Sequence, residues 1–272
     1  MELGVNVPNF GPGTDPGVLR EWARIVEGLG FDLLMVSDHV ANTQDVAERY
    51  PAPFYEPFTT LSWLAGLTTT VRLGTTVLVL PYRHPLLVAR MATNLDRLSG
   101  GRLVLGVGVG WARQEFEALG VPFTERGRLT DEHLVTLRRA WREEAEDHAA
   151  RIPVWVGGNS AAAIRRAVRF GDAWHPLRVT LPWLRSALAK HELPAFAPRI
   201  ALRLTAAPVD DPDRLAGTGT LEQVLDDLDQ LRRLGADTVL LDPYHGDPQD
   251  TRRPRAAWQA LTAVATHWRT PS

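Results

Sequence analysis

Apolar positions along this chain switch between two spacings, and the switching continues from one end to the other. Short β-branched runs occur at Leu3–Val7, Leu33–Val36, Val71–Leu80, Leu103–Val107, Pro153–Val156, Ala173–Trp174, Ile200–Val209 and Val239–Leu241. Between them the apolar residues recur at helical spacing. Val18, Trp22, Ile25, Val26 and Leu29 form one stripe, with Asp15-Pro16 as N-cap and first-turn proline and Gly30 as the stop. Leu221, Val224, Leu225, Leu228, Leu231 and Leu234 form another. There Thr220 and Gln223 have the spacing of a capping box, and Gly235 closes the helix.

Eight strands starting about 34 residues apart, with helices between them, match repeated right-handed βαβ units. Eight such units close into a (β/α)8 barrel, which leaves no sheet edge exposed. An open doubly wound sheet would want a phosphate loop after the first strand, and Asn6-Val-Pro-Asn-Phe-Gly11 is not one. The pattern therefore predicts an α/β protein, a single (β/α)8 TIM barrel filling residues 1–272 as one domain. The longest interval between strands, Val107 to Pro153, should hold a short helix around Gln114–Leu119 and a longer one from about Arg128 to Trp141.

Composition narrows the function classes. With 44% hydrophobic and 23% charged residues the chain is globular, and a net charge of −2 without a basic block argues against a nucleic-acid partner. The absence of cysteine excludes disulfides, thiolate zinc sites, iron–sulfur clusters and cysteine nucleophiles. No apolar run approaches ~18 residues, and the N-terminus has no basic region followed by an apolar one. A cytoplasmic enzyme or binding protein acting on a small molecule, with no membrane partner, is the expectation. Lys190 is the single lysine against 29 arginines. The arginines are scattered along the chain, which reads as codon usage more than as phosphate recognition.

Barrel enzymes place their chemistry at the C-terminal ends of the strands. Those positions hold Pro8 and Asn9, then Ser37, Asp38 and His39, then Leu80-Pro-Tyr-Arg-His84. They continue with Gly106-Val-Gly-Val-Gly-Trp111, Gly157-Gly-Asn-Ser160, His175, Asp242 and Tyr244. The turn Gly157-Gly-Asn-Ser160 joins a strand to a helix, so its amides could cradle a phosphate; it could equally be a tight turn with a Ser or Asn cap. The glycines before Trp111 strip side chains from one face, which suits either a flat ring or close packing inside the barrel. His39 could hold or protonate a reacting group, or simply cap a loop. His39, His175 and Asp242 at strand ends raise a metallohydrolase reading, but strand 1 lacks the paired histidines such a site needs, and no metal is expected. Tryptophans such as Trp22 and Trp141 fall on helical stripes and read as core, whereas Trp111 stands at a strand end.

Taken in order, these motifs resemble the luciferase-like oxidoreductase family, most closely its branch dependent on coenzyme F420, a deazaflavin. The resemblance runs through Gly30-Phe-Asp, Val36-Ser-Asp-His39, Val71-Arg-Leu-Gly-Thr-Thr-Val-Leu-Val-Leu-Pro81 and Leu98-Ser-Gly-Gly-Arg102 onward to Trp111. It continues through Glu115-Phe, Leu119-Gly-Val-Pro-Phe123, Pro153-Val-Trp-Val-Gly-Gly-Asn-Ser160 and Gly171-Asp-Ala-Trp174. The resemblance implies a cofactor ring over the barrel mouth, braced by a strand-3 bulge with a non-prolyl cis peptide near Thr76-Val77. Gly108, Val109 and Gly110 would line one side of the ring, and Val156, Gly157, Gly158, Asn159 and Ser160 would take the cofactor phosphate. It further implies hydride transfer between the deazaflavin and a small organic substrate, with His39 at the reacting centre, Asp38 orienting its imidazole and Trp111 beside them.

The same resemblance leaves FMN as the alternative cofactor, with monooxygenase chemistry, since the glycines suit either ring. A non-catalytic flavin-binding homologue is a further alternative. Two departures stand out. Trp111 occupies the position where the sugar-phosphate dehydrogenase branch keeps an acidic glutamate, and no lysine cluster awaits a sugar phosphate. The stretch 142–152 is shorter than in relatives, implying a more open pocket or one completed by a second subunit. Family members often dimerise, so a homodimer is implied although no apolar stripe demands it.

Overall fold

The computed structural model describes residues 1–143 and 152–269. Of the stretch 142–152, expected to be shorter than in relatives, residues 144–151 lie outside the described residues. Eight parallel strands form the barrel: β1 (Glu2–Asn6), β2 (Leu33–Val36), β3 (Arg72–Thr75), β4 (Leu103–Gly108), β5 (Val154–Gly157), β6 (Ala173–His175), β7 (Arg199–Ala201) and β8 (Thr238–Asp242). Their order is β6-β5-β4-β3-β2-β1-β8-β7. The last gap is bridged by main-chain bonds from Trp174 N to Ala195 O and Arg199 N to Pro176 O, at 2.9 and 2.7 Å. The helices, in chain order, are α1 (Pro16–Gly28), α2 (Gln44–Ala47), α3 (Pro57–Ala65), α4 (Pro85–Ser99), α5 (Arg113–Ala118), α6 (Arg126–Glu143), α7 (Ala161–Phe170), α8 (Leu181–Leu188), α9 (Leu221–Arg233) and α10 (Pro254–Arg269). Among the described residues no helix is long and apolar enough to cross a membrane.

The period-two alternation of a strand sorts the core into two layers. Leu33, Met35, Val104, Trp155, Ala173 and Leu240 fill the barrel interior. Their neighbours Leu34, Val36, Leu103, Leu105, Val107, Val154 and Val156 face outward and join the helical stripes in the larger core. The interior is narrow, and glycine sets its width. A Cβ on Gly106 would lie 2.0 Å from the Thr75 carbonyl oxygen, and one on Gly74 would strike Met35. These glycines therefore serve packing inside the barrel.

Local signals in the sequence explain the helix ends. Asp15 accepts from Val18 N at 2.8 Å to open α1, and the Thr220–Gln223 capping box opens α9. Two strand assignments need correction. The run Val71–Leu80 is not one strand, since β3 stops at Thr75 and a two-residue piece, Leu78–Val79, resumes beside β4. Ile200–Val209 also divides. Only Arg199–Ala201 belongs to the barrel, while Arg203–Leu204 pairs with Thr218–Gly219 in a small separate sheet. β-Branched composition alone does not say which partner a strand finds.

Arg102, just before β4, sits at the N-terminal end of the barrel. Its guanidinium donates to Ser99 O, Thr68 Oγ1, Val71 O, Ala65 O and Thr68 O at 2.6–3.1 Å, so every donor is used. The group ties the end of α3 and the starts of β3 and β4 together, far from the strand ends that carry chemistry. Lysine cannot reproduce this planar fork. Arg102→Lys should lower unfolding stability by about 3 kcal/mol, read from the urea midpoint, through the carbonyls it leaves unpaired. An unchanged midpoint would show that Arg102 holds nothing.

Candidate active site

The segment after β2 is pinned from several sides. Asn9 holds Ser37 twice, its side chain donating to Ser37 O at 2.9 Å and accepting from Ser37 N at 3.0 Å. Asp38 accepts from Val79 N at 2.8 Å and from both terminal nitrogens of Arg83 at 2.7 and 2.8 Å. Burial raises the Asp38 carboxyl above the usual carboxylate range, and the Arg83 fork and the Val79 amide oppose that rise. Asp38 therefore fixes the strand-3 end to the strand-2 end. It does not orient the imidazole of His39, as the resemblance implied.

That role falls to Glu115 on α5. Its Oε2 accepts from His39 Nδ1 at 2.7 Å and from the Tyr82 hydroxyl at 2.8 Å. Its Oε1 accepts from the amides of Val40 and Ala41 at 2.5 and 3.0 Å. Burial works against the charge, but His39 and these amides outweigh it and hold the Glu115 carboxyl below its ordinary range. Burial and the adjacent Glu115 push the Tyr82 phenol well up, so it stays a donor. With Nδ1 committed to the carboxylate, Nε2 of His39 has no protein hydrogen-bond partner among the described residues.

On the opposite side of the mouth the chain turns at Thr76-Val77, whose peptide bond is cis. Two strands make room for the turn. A Cβ on Gly108 would come within 2.6 Å of Val77, and one on Gly157 within 2.8 Å. The turn is also held by polar contacts. Thr76 Oγ1 lies 2.9 Å from His175 Nε2, and His175 Nδ1 lies 2.5 Å from Ala197 O. The Ala197 carbonyl can only accept, so Nδ1 carries the proton and the Thr76 hydroxyl donates to Nε2. Burial depresses the His175 imidazole to about 4, keeping it the neutral acceptor this arrangement needs. Arg199 Nη1 donates to Thr76 O at 2.9 Å, while its Nε and Nη2 hold Asp242 at 2.9 and 2.6 Å.

Between these two assemblies lies a cavity of about 220 Å³. Most of the expected site residues meet there. Asp38, His39 and Trp111 line it, as do Thr76 and Val77, the stretch Gly108, Val109 and Gly110, and the pair Gly157 and Gly158. The ring of Trp111 stands 5.6 Å from that of His39, and Arg49 covers it at 4.6 Å. Three expected residues are placed otherwise. Val156 faces outward into the helix-side core. Asn159 is bonded to both main-chain groups of Leu177, at 2.8 and 3.0 Å. Ser160 caps α7, its hydroxyl accepting from Ala163 N at 3.1 Å. His175 and Asp242 are spent on the network beneath the turn, and no cluster of three metal-ligating side chains occurs among the described residues.

Tyr50, Arg199 and Glu115 are the residues that sequence reasoning missed. Tyr50, in the long connection after β2, stacks on His39 at 5.3 Å and lines the cavity. Arg199 carries no usable signal, since the expected strand Ile200–Val209 begins after it and the barrel strand is the three residues Arg199–Ala201. Glu115 carried a usable signal, as an acid beside Phe116 on the buried face of a short helix.

A family model described as luciferase-like monooxygenase matches residues 1–215. The chain is 31% identical over 180 residues to an uncharacterised protein of Mycobacterium tuberculosis, an alignment covering 56% of this chain and 62% of that protein. This chain thus spans less than two thirds of the length of the curated relative it matches. Solved structures share the fold at low identity. The coenzyme F420-dependent tetrahydromethanopterin reductase of Methanopyrus kandleri has a TM-score of 0.74 at 15% identity, covering 97% of each chain. The oxygenating constituent of 3,6-diketocamphane monooxygenase from Pseudomonas putida, in complex with FMN, has a TM-score of 0.72 at 16% identity, again covering 97% of each.

The Glu115 geometry carries a pH signature. A carboxyl held low in the folded state adds stability that is complete above its unfolded value and is lost as pH falls through the folded one. Glu115→Gln should weaken the fold at pH 7 by about 2 kcal/mol, because one oxygen acceptor becomes a donor facing donors. Between about pH 5 and pH 3 the wild type should then lose more stability than the variant. Urea unfolding at these pH values checks it, and parallel losses would contradict the assignment.

Proposed function

Since the chain belongs to the luciferase-like monooxygenase family, we propose that it is an oxidoreductase using coenzyme F420 to exchange a hydride with a small organic substrate at the barrel mouth. The observation that carries this reading is that His39, the Thr76-Val77 turn and glycines from two neighbouring strands line one cavity. The lining suits a flat ring system. Val77 and the glycine backbone of Gly108 to Gly110 offer surface without bulky side chains, and Trp111 and Tyr50 add aromatic faces. Gly157 and Gly158, with the first amides of α7, would take the phosphate, the side chains of Asn159 and Ser160 being used within the turn.

When bound, the deazaflavin supplies the hydride chemistry at its C5. The chain supplies position and protons. Glu115 keeps the proton of His39 on Nδ1, so Nε2 is the nitrogen that can accept a proton from a substrate hydroxyl or return one to a carbonyl oxygen. Tyr50 and Trp111 narrow access of water to that nitrogen. Arg199 and His175 keep Thr76 in place beneath the cofactor site.

Titration of the purified protein with F420 and, separately, with FMN, followed by tryptophan fluorescence, tests this reading because Trp111 lines the cavity. Micromolar binding of F420 with little response to FMN is expected. Preferential FMN binding would place the protein with the monooxygenases, and binding of neither would leave only the fold. His39→Ala should leave the F420 affinity within about twofold and reduce turnover of a screened substrate by about 100-fold. Cofactor binding without turnover of any substrate would favour a non-catalytic flavin-binding role.

A further inference from the structure

A second cavity, of about 100 Å³, adjoins the first at the ends of β6, β7 and β8. The two share Arg199, and the adjacent residues Leu177 and Arg178 divide between them, Leu177 lining the first and Arg178 the second. The aromatic pair Tyr50 and Tyr244, 6.0 Å apart, also spans the boundary, with Tyr50 in the first cavity and Tyr244 in the second. Arginines that are scattered along the sequence thus gather here, as Arg178, Arg199 and Arg203.

Their partners decide what the cavity can hold. Arg199 is neutralised by Asp242, whose other oxygen accepts from Asn6 and from the amide of Tyr244. Arg178 and Arg203 have no side-chain hydrogen bond or ion pair among the described residues. Asp242, the carboxylate lining this cavity, is therefore already committed, whereas Arg178 and Arg203 line it from exposed positions.

Arg178 is also held in an unusual conformation. At φ 49° it is the only non-glycine residue in the left-handed region among the described residues. That backbone is unfavourable for a side chain with a Cβ, and glycine would adopt it freely. Its surroundings enforce it. Arg178 N donates to Arg199 O at 3.0 Å, and Leu177 is gripped by the Asn159 side chain. A strained arginine and a second arginine without an ion pair, in a cavity that shares Arg199 with the candidate active site, suit an oxyanion.

We propose, resting on the oxidoreductase reading above, that this cavity binds a carboxylate of the substrate and so selects organic acids among the compounds presented to His39. An oxyanion could come from the substrate or from the cofactor phosphate. The continuity through Tyr244 and Tyr50 to His39, whose ring lies 5.3 Å from that of Tyr50, favours the substrate. A ligand anchored by Arg178 and Arg203 can run along this aromatic wall and present its far end to Nε2.

The test uses a matched pair of probes, acetophenone and 4-acetylbenzoate, which differ by one carboxylate. Calorimetric titrations are run on the protein alone and after saturation with F420 or FMN. The wild type should bind 4-acetylbenzoate roughly tenfold more tightly than acetophenone. Added salt should shrink that preference and leave acetophenone binding unchanged. Arg178→Gly relieves the left-handed strain and so keeps the fold. Combined with Arg203→Gln it should abolish the preference while leaving acetophenone and cofactor affinities intact. Absence of a preference in the wild type, or its survival in the double variant, would overturn the proposal. Loss of cofactor affinity in the double variant would also overturn it, assigning the arginines to the cofactor phosphate. A carboxylate preference in a protein that binds neither cofactor would support the subsite and remove the F420 reading instead.

Discussion

A buried carboxylate needs donors, and the arrangement of this barrel mouth follows from how Glu115 finds them. Four reach it: the His39 ring, the Tyr82 hydroxyl and the amides of Val40 and Ala41. They come from the connections after β2 and β3, while Glu115 itself follows β4. One charge therefore gathers three strand ends and fixes the imidazole among them. Leaving such a carboxylate unpaired costs several kcal/mol, which is why the loop after β2 cannot wander without disturbing His39.

Across the mouth the same logic operates with a cation. Arg199 is buried, and it meets Asp242 on one side and the Thr76 carbonyl on the other. Through Thr76 it reaches His175, and through Asp242 it reaches Asn6. The turn at Thr76-Val77 is thus tied to β6, β7, β8 and β1, while glycines on β4 and β5 leave the space that Val77 fills. Both walls of the cavity are consequences of burying charge beside close-packed backbone. The cavity between them is a gap that the network keeps open, with a free imidazole nitrogen at one edge.

Much of the fold was legible in the sequence because periodicity is local. The stripe at Val18 to Leu29, the capping box at Thr220 and the run at Leu33–Val36 each carry their own evidence, and the structure places a helix or strand at each. Strand length was less legible. Whether Arg203–Leu204 continues β7 or pairs with Thr218–Gly219 depends on a partner that the sequence does not mark. The glycines also had more than one meaning. Gly106 serves barrel packing, whereas Gly108 and Gly157 make room for Val77 at the mouth.

The candidate site was legible as positions and less so as roles. His39, Trp111 and the Thr76-Val77 turn could be reached by reading strand ends and by family resemblance. The partners of His39 could not, since Asp38 is adjacent in sequence while Glu115 is 76 residues away. Adjacent residues on extended backbone point in different directions, so sequence neighbours are poor guides to hydrogen-bond partners. The claim that most depends on these contacts is that the cavity between Glu115 and Arg199 is the cofactor site. A crystal structure of the protein soaked with F420 tests it most directly. The ring is expected against Val77 and Gly108 to Gly110, with its reacting edge toward His39. A ring bound elsewhere, or stacked outside the cavity on exposed aromatic surface, would contradict it.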